Sequence, residues 1–174
     1  MDEESTLLAI GYQELSGSIC DKLTELVDWL ESLVSYTAPA IVGDTQVYAA
    51  IEYPRGWDMR VMFMLGRVNG VVHYIFRNGH DFDRVKDFAE YGPEKGKMAL
   101  SGKGNANKAM QVESFVEKYP TWETKRVLFK PNVKLDGVIT DDEADACGIA
   151  LAAIQMRDSV YVSSLGTKGV MKIG

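Results

Sequence analysis

The sequence contains no long uninterrupted apolar run, little cysteine and no excess of positive charge. No stretch approaches the roughly 20 apolar residues that a membrane span requires. The amino terminus, MDEES, carries acids where a signal peptide would carry bases. We therefore expect no membrane segment and a place in the cytoplasm, or in the host cytoplasm if the source is viral.

The two cysteines, Cys20 and Cys147, lie far apart, and neither has a second Cys or a His at metal-ligand spacing. This spacing argues against a zinc site, and we expect both thiols to be buried as small hydrophobic side chains. The two histidines, His73 and His80, share no ligand motif and are interpreted as structural or surface residues.

The net charge of −6 and the pI of about 5.0 argue against a protein that coats nucleic acid nonspecifically. Such binding depends mainly on phosphate neutralisation by Lys and Arg. A local basic patch can still attract a polyanion on a protein whose total charge is negative. The distribution of the lysines therefore matters more than the sum.

Length and composition indicate one domain. A chain of 174 residues with 46% apolar residues falls in the single-domain range, and we assign residues 1–174 to one unit without internal repeats. Periodicity and turn residues predict alternating strands and helices. The predicted strands are 6–12 and 46–52, and the predicted helices are 18–34, 57–76, 105–119 and 141–156. Residues 94–108 are predicted to be a polar segment, 124–138 irregular, and 157–174 a peripheral strand or a mobile tail.

Acidic residues at two predicted element ends suggest a metal site. Asp142 and Asp145 stand three residues apart at the start of a helix, so both carboxylates project from one face. Glu52 ends a buried strand, where a charge without a partner is costly. Oxygen ligands from separate elements suit Mg²⁺. The alternative is that the two aspartates are ordinary helix caps and the glutamate is solvated.

The lysine-rich segment before the third helix suggests phosphate binding. A Gly102-x-Gly104 turn lets backbone amides approach an anion closely, and the spacing of a nucleotide P-loop is absent. A solvated loop would explain the composition as well. The positive charges are those of Lys95, Lys97, Lys103 and Lys108.

Arg55 and Trp57 lie three and five residues after Glu52. An exposed tryptophan there would stack on a base, an interaction worth about 1 to 3 kcal/mol. A core tryptophan that packs on the next helix is the alternative.

Taken in order, these segments resemble the RuvC family of Holliday-junction resolvases, from Gly17 to Met156. Four fragments carry the likeness: 50–54 (AIEYP), 64–72 (MLGRVNGVV), 97–108 (KMALSGKGNANK) and 142–151 (DEADACGIAL). The resemblance implies an RNase H-like α/β fold, with a mixed sheet flanked by helices on both faces. It also implies a homodimer that cuts branched DNA.

By matching position, the resemblance implies that Glu52, Asp142 and Asp145 hold Mg²⁺ or Mn²⁺. It implies that Lys97 and Lys108 contact the scissile region and the phosphate backbone. Lys95, Lys103, Arg55, Trp57, Gly102 and Gly104 complete the predicted DNA-binding set.

One departure from the family concerns its first strand, which carries an Asp. Here residues 7–12 (LLAIGY) either replace that strand, with Gly11 in place of the Asp, or correspond to a later hairpin strand. Asp2 lies outside the predicted strand. Three readings follow: an active junction endonuclease, a DNA-binding protein on the same fold with impaired catalysis, and an unrelated globular protein whose acids and lysines are surface residues.

Overall fold

The computed structural model describes residue 7 and residues 10–12, 15–37, 47–53, 58–78, 85–128 and 137–166. Within these ranges strands and helices alternate, and helix predominates. The elements are β1 (Ile10–Tyr12), α1 (Ile19–Thr37), β2 (Val47–Glu52), α2 (Met59–Asn78), β3 (Val85–Tyr91), α3 (Pro93–Ser101), α4 (Lys108–Lys118), a 3₁₀ turn (Trp122–Lys125), β4 (Arg126–Leu128) and α5 (Asp141–Gly166). The predicted α/β class is confirmed.

The described strands form two parallel pairs. β2 pairs with β3, with Glu52 opposite Tyr91, and β1 pairs with β4, with Gly11 opposite Val127. Parallel neighbours need a crossover connection, and α2 supplies it between β2 and β3. No antiparallel pairing occurs among the described strands, so the predicted mixed sheet is not seen in this part of the chain.

Two clusters of buried side chains form the described core. One lies where α1 and α2 pack beside β2 and β3, around Leu26, Leu30, Val72 and Ile75. The other joins α3, α4 and α5 to β1, and its buried members are Ile10, Leu100, Phe115, Trp122, Ile139, Ala144, Cys147 and Leu151. The second cluster is formed by the same helices that carry Lys97, Lys108, Asp142 and Asp145.

The periodic segments fold as predicted. α1 begins after Ser18, whose backbone N–H and hydroxyl donate to Asp21 Oδ2 at 2.8 and 2.7 Å. The hydrogen bonds from Ser18 hold the pKa of the Asp21 carboxyl below its usual value. The predicted helix 57–76 is α2, shifted by two residues at each end.

The polar segment 94–108 was wrongly predicted. Pro93 starts α3, as proline suits a first helical position, and most of the segment is helical. Residues 85–91, for which no strand was predicted, form β3. The helix predicted from 105 begins at Lys108, where Asn107 Oδ1 accepts a hydrogen bond from the Met110 N–H at 2.9 Å.

Two further predictions are corrected. Residues 124–128, expected to be irregular, lie in the 3₁₀ turn and β4. α5 continues to Gly166, so the strand alternative for the tail is wrong for 158–166, whereas 167–174 lie outside the described residues.

Cys147 is buried as predicted, and burial raises the pKa of its thiol to about 11. The prediction for Cys20 is wrong, because this residue is exposed and lines the open groove between α1 and α2. No helix in the described ranges is long and apolar enough to cross a membrane.

Candidate functional site

The start of α5 is fixed by a reciprocal cap. The Glu143 N–H donates to Thr140 Oγ1 at 3.1 Å, and the Thr140 N–H donates back to Glu143 Oε2 at 2.9 Å. This is the capping box that the spacing Thr-x-x-Glu predicts. It turns Glu143 inward, and its side chain is 1% exposed.

The neighbouring aspartates lie on the outer side of the same turn. Asp142 is exposed and Asp145 is half-buried. Burial raises the pKa of the Asp145 carboxyl, the positive charges of Lys97 and Lys108 oppose that rise, and Asp141 and Asp142 add to it. These five side chains therefore share one electrostatic neighbourhood.

Lys108 reaches this turn from the first position of α4. Its ammonium forms an ion pair with the Asp141 carboxylate, and this contact raises the lysine pKa and lowers that of the aspartate. The charges of Asp142 and Asp145 also favour the protonated lysine. The Lys108 side chain is 80% exposed, which leaves it accessible to a ligand.

Lys97 is brought beside Asp145 by direct backbone contact between α3 and α5. A Cβ atom at Gly148 would lie 2.7 Å from the Gly96 carbonyl oxygen, so no side chain fits between the helices at this point. Gly148 lies among other small residues of α5, Ala144, Ala146 and Ala150, which also permit a close approach. The contact explains why Gly96, the residue before Lys97, is buried.

Glu52 ends β2 as predicted and is exposed. β2 packs against α5. Even so, no group of three or more His, Cys, Asp or Glu side chains in the described ranges, which include Glu52, Asp142 and Asp145, lies close enough together to hold a metal ion. The described carboxylates thus do not make up a complete three-ligand site, and no chemical step is assigned to a metal.

The glycines of the lysine segment have structural roles. Gly102 adopts a φ of +71° and ends α3, and its N–H donates to Met98 O at 2.9 Å. That amide is therefore already used and is not available to an anion, contrary to the prediction. Gly104 packs against Glu94. A Cβ atom placed on the glycine would lie 3.4 Å from the Glu94 carbonyl oxygen.

The remaining predicted DNA-binding residues are placed unevenly. Lys95 and Lys103 are exposed, the first on α3 and the second just after it. Arg55 and Trp57 lie outside the described residues. Of the basic side chains predicted to bind DNA, the structure therefore describes only those of Lys95, Lys97, Lys103 and Lys108.

Sequence reasoning missed two residues that the structure brings to this site. Asp141, treated only as a helix-start acid, pairs with Lys108. Arg126, in a segment predicted to be irregular, contacts the buried carboxylate of Glu143 through two nitrogens. The spacing of Thr140 and Glu143 is that of a capping box, but no sequence signal pointed to the burial of Glu143 or to its arginine partner.

A scan against protein-family models matches none of them. A search of curated proteins likewise finds no significant match.

Proposed function

We propose that this chain is a structure-selective DNA endonuclease on an RNase H-like fold, which resolves four-way or other branched junctions by phosphodiester hydrolysis. The observation that supports it is the grouping of Lys97 and Lys108 with Asp142 and Asp145. These residues come from three helices. Their assembly matches the order and residue types that the family resemblance implies.

In this proposal the lysines bind the DNA backbone. Lys108 exchanges its contact with Asp141 for a phosphate oxygen, since its side chain is exposed and a charge-assisted hydrogen bond to phosphate is strong. Lys97 is half-buried and follows Gly96, which packs against α5, and in this proposal it places a positive charge where negative charge develops on the phosphate in the transition state.

The resemblance implies Mg²⁺ or Mn²⁺ at Asp142 and Asp145, with Glu52 as the third carboxylate. If these residues held such an ion, it would supply an activated water and positive charge for the leaving oxygen. In the part of the chain that the structure describes, these three carboxylates are not grouped closely enough to hold an ion, so completing the site requires them to come together. Metal dependence is therefore part of what the experiment must test.

A homodimer is part of the same proposal, because two symmetric strands of a junction must be cut. α2 exposes large apolar side chains, including Met59 at 84%, Phe63 at 62% and Tyr74 at 69%. Between α1 and α2 lies an open apolar groove lined by Leu23, Gly70 and Tyr74, among others. A second copy of the chain would cover this face. Phe63→Ser should then shift the mass measured by light scattering from dimer to monomer.

The direct test is incubation with an end-labelled four-way junction, with Mg²⁺, with Mn²⁺ and with chelator, beside a linear duplex of the same arm sequence. Symmetric nicks that need the ion support the proposal. Asp145→Asn and Glu52→Gln should abolish nicking and keep junction binding. Glu113→Gln, an exposed acid on α4, is the matched control and should nick normally.

A second function is favoured by one observation. β1 consists of Ile10, Gly11 and Tyr12 and carries no carboxylate, which fits a protein that binds junctions without cutting them. A mobility shift without nicks under every ion condition would support this alternative. Neither shift nor nicks would indicate that the acids and lysines are ordinary surface residues.

A further inference from the structure

The most buried ion pair described in the molecule lies directly under the candidate site. Arg126 Nη2 donates to Glu143 Oε2 at 2.5 Å and Arg126 Nε donates to Oε1 at 2.9 Å. The two side chains are 9% and 1% exposed. The Thr140 N–H and hydroxyl also donate to this carboxylate, at 2.9 and 3.0 Å. Four hydrogen bonds thus satisfy a charge that has left water.

The same arginine connects several segments that are distant in sequence. Its Nη1 donates to the Val138 carbonyl at 3.2 Å, and its guanidinium lies 5.1 Å from the ring centre of the buried Trp122. One side chain therefore ties β4 and the 3₁₀ turn to the last residues before α5 and to its first turn.

Helix geometry links this tie to the aspartates. Successive residues of an α-helix are rotated by about 100°, so Asp142 and Asp145 lie about 60° apart. Asp145 then points about 160° away from Glu143, and Asp142 projects about 100° to one side of it. With Glu143 fixed inward, the first turn of α5 cannot rotate about its axis. Asp142 and Asp145 are then held toward Lys97 and Lys108.

The energetics favour a role in orientation over one in stability alone. Desolvating two charges is expensive, and well-packed apolar side chains of similar volume often give equal or greater stability. We propose that Arg126 and Glu143 are positioning residues, which set the rotation of the first turn of α5 and so hold Asp142 and Asp145 beside Lys97 and Lys108 in the proposed site. This inference rests on the proposed endonuclease function.

The test uses the double variant Arg126→Met/Glu143→Gln, which removes one charge of each sign. Glutamine keeps the capping box, so the helix can still start at the same residue. Native-state hydrogen exchange is measured at Ala144, whose N–H donates to Thr140 O at 3.1 Å, and at Leu151 and Ala152 farther along α5. Exchange at Ala144 should become roughly tenfold faster, while Leu151 and Ala152 change little, because only the first turn is released.

Nicking is measured in parallel under single-turnover conditions. The rate at saturating protein should fall on the order of 100-fold, the scale expected for an approximately 1 Å misplacement. Junction affinity should stay within about twofold, because Lys97 and Lys108 lie on other helices. The single variant Arg126→Lys keeps the charge but not the two-nitrogen contact. Its nicking rate should therefore lie between that of the double variant and that of the wild type. His73→Gln, which removes the 2.7 Å contact between His73 Nε2 of α2 and Glu90 Oε1 of β3, is the control that should alter neither readout.

The two hypotheses fail in different ways. If the wild type neither nicks nor binds a junction, the endonuclease proposal fails, and hydrogen exchange still decides whether the pair holds the turn. If exchange at Ala144 and Leu151 rises equally, the pair contributes global stability only, and the positioning role is wrong. It is equally wrong if Ala144 is released and the nicking rate is unchanged.

Discussion

Two ion pairs at the start of α5 differ in nearly every physical respect. Arg126 and Glu143 are 9% and 1% exposed and are joined through two nitrogens, whereas Lys108 and Asp141 are 80% and 32% exposed. The first pair has lost its water and depends on its geometry. The second keeps its water and is screened by salt, so it contributes little to folding.

The buried pair therefore serves the fold, and the exposed pair is suited to binding a ligand. A lysine that is weakly held on the surface can transfer to an incoming phosphate at little cost. A buried arginine with satisfied partners cannot. The same helix start thus combines a fixed inner side with an exchangeable outer side, and variants of each should affect different measurements.

The largest effect on stability is expected from breaking the buried pair on one side only. Arg126→Met leaves Glu143 as a buried charge without its main partner, and such losses cost about 3 to 5 kcal/mol. Urea unfolding followed by circular dichroism measures the change. Lys125→Met, at the exposed preceding residue, is the control. A loss below about 1 kcal/mol would show that water reaches Glu143 readily.

A somewhat smaller effect is expected from separating α3 and α5. In Gly148→Ala the new methyl group meets the Gly96 carbonyl at 2.7 Å, and overpacking of this kind costs about 1 to 3 kcal/mol. The buried pair should persist while Lys97 moves away from Asp145. The unfolding midpoint and the nicking rate should both fall.

Gly66→Ala supplies the contrast for that experiment. Nothing lies within 4 Å of a Cβ placed on Gly66 of α2, so alanine there should stabilise the helix by about 0.5 to 1 kcal/mol. Destabilisation by both alanines would mean that glycine replacement is harmful in this fold for reasons other than the α3–α5 contact.

A third pair, intermediate in exposure, extends the comparison to acid pH. Glu90 accepts hydrogen bonds from His73 and Asn69, and these contacts hold its pKa below the usual 4.5. The resulting stability is present above that value and is lost as the pH falls through the lowered pKa. Glu90→Gln should therefore be less stable than wild type at neutral pH, with the two curves converging below about pH 4. Parallel curves from pH 7 to pH 3 would contradict this assignment.

The smallest stability effect is expected at the exposed pair. Lys108→Met should leave the urea midpoint unchanged, yet it should weaken junction binding and reduce the slope of log affinity against log salt by about 1. Asp141→Asn should have the opposite effect on affinity, because it frees the lysine and removes a negative charge. If Lys108→Met destabilises the fold and leaves the salt slope unchanged, Lys108 is not a phosphate ligand.

The comparison also explains what the sequence could predict. α1, β2 and α2 follow from local periodicity, and the start of α5 follows from the spacing of Thr140 and Glu143. These signals lie within one element, so no knowledge of the fold is needed. Lys108 and the aspartates were identified for the same reason, from residue type and from position beside an element end.

The errors came where distant segments decide the structure. α3 contains Gly96 and is followed by Gly102, glycines that suggest a loop, although its Glu, Lys, Met, Ala and Leu residues are good helix formers. It packs as a helix against α5, where only glycine allows the backbones to approach. Arg126 lies 17 residues from Glu143, and its partner is set by how β4 meets the start of α5. The spacing of residues along the sequence does not predict that Arg126 pairs with Glu143.

The glycine contact between α3 and α5 has one further consequence. Side chains at most helix interfaces hop between rotamers and so let neighbouring helices slide by fractions of an ångström. Where Gly96 faces Gly148 the two surfaces are main chain, which has no such freedom. At this contact the backbones of α3 and α5, which carry Lys97 and Asp145, therefore move together when the core fluctuates.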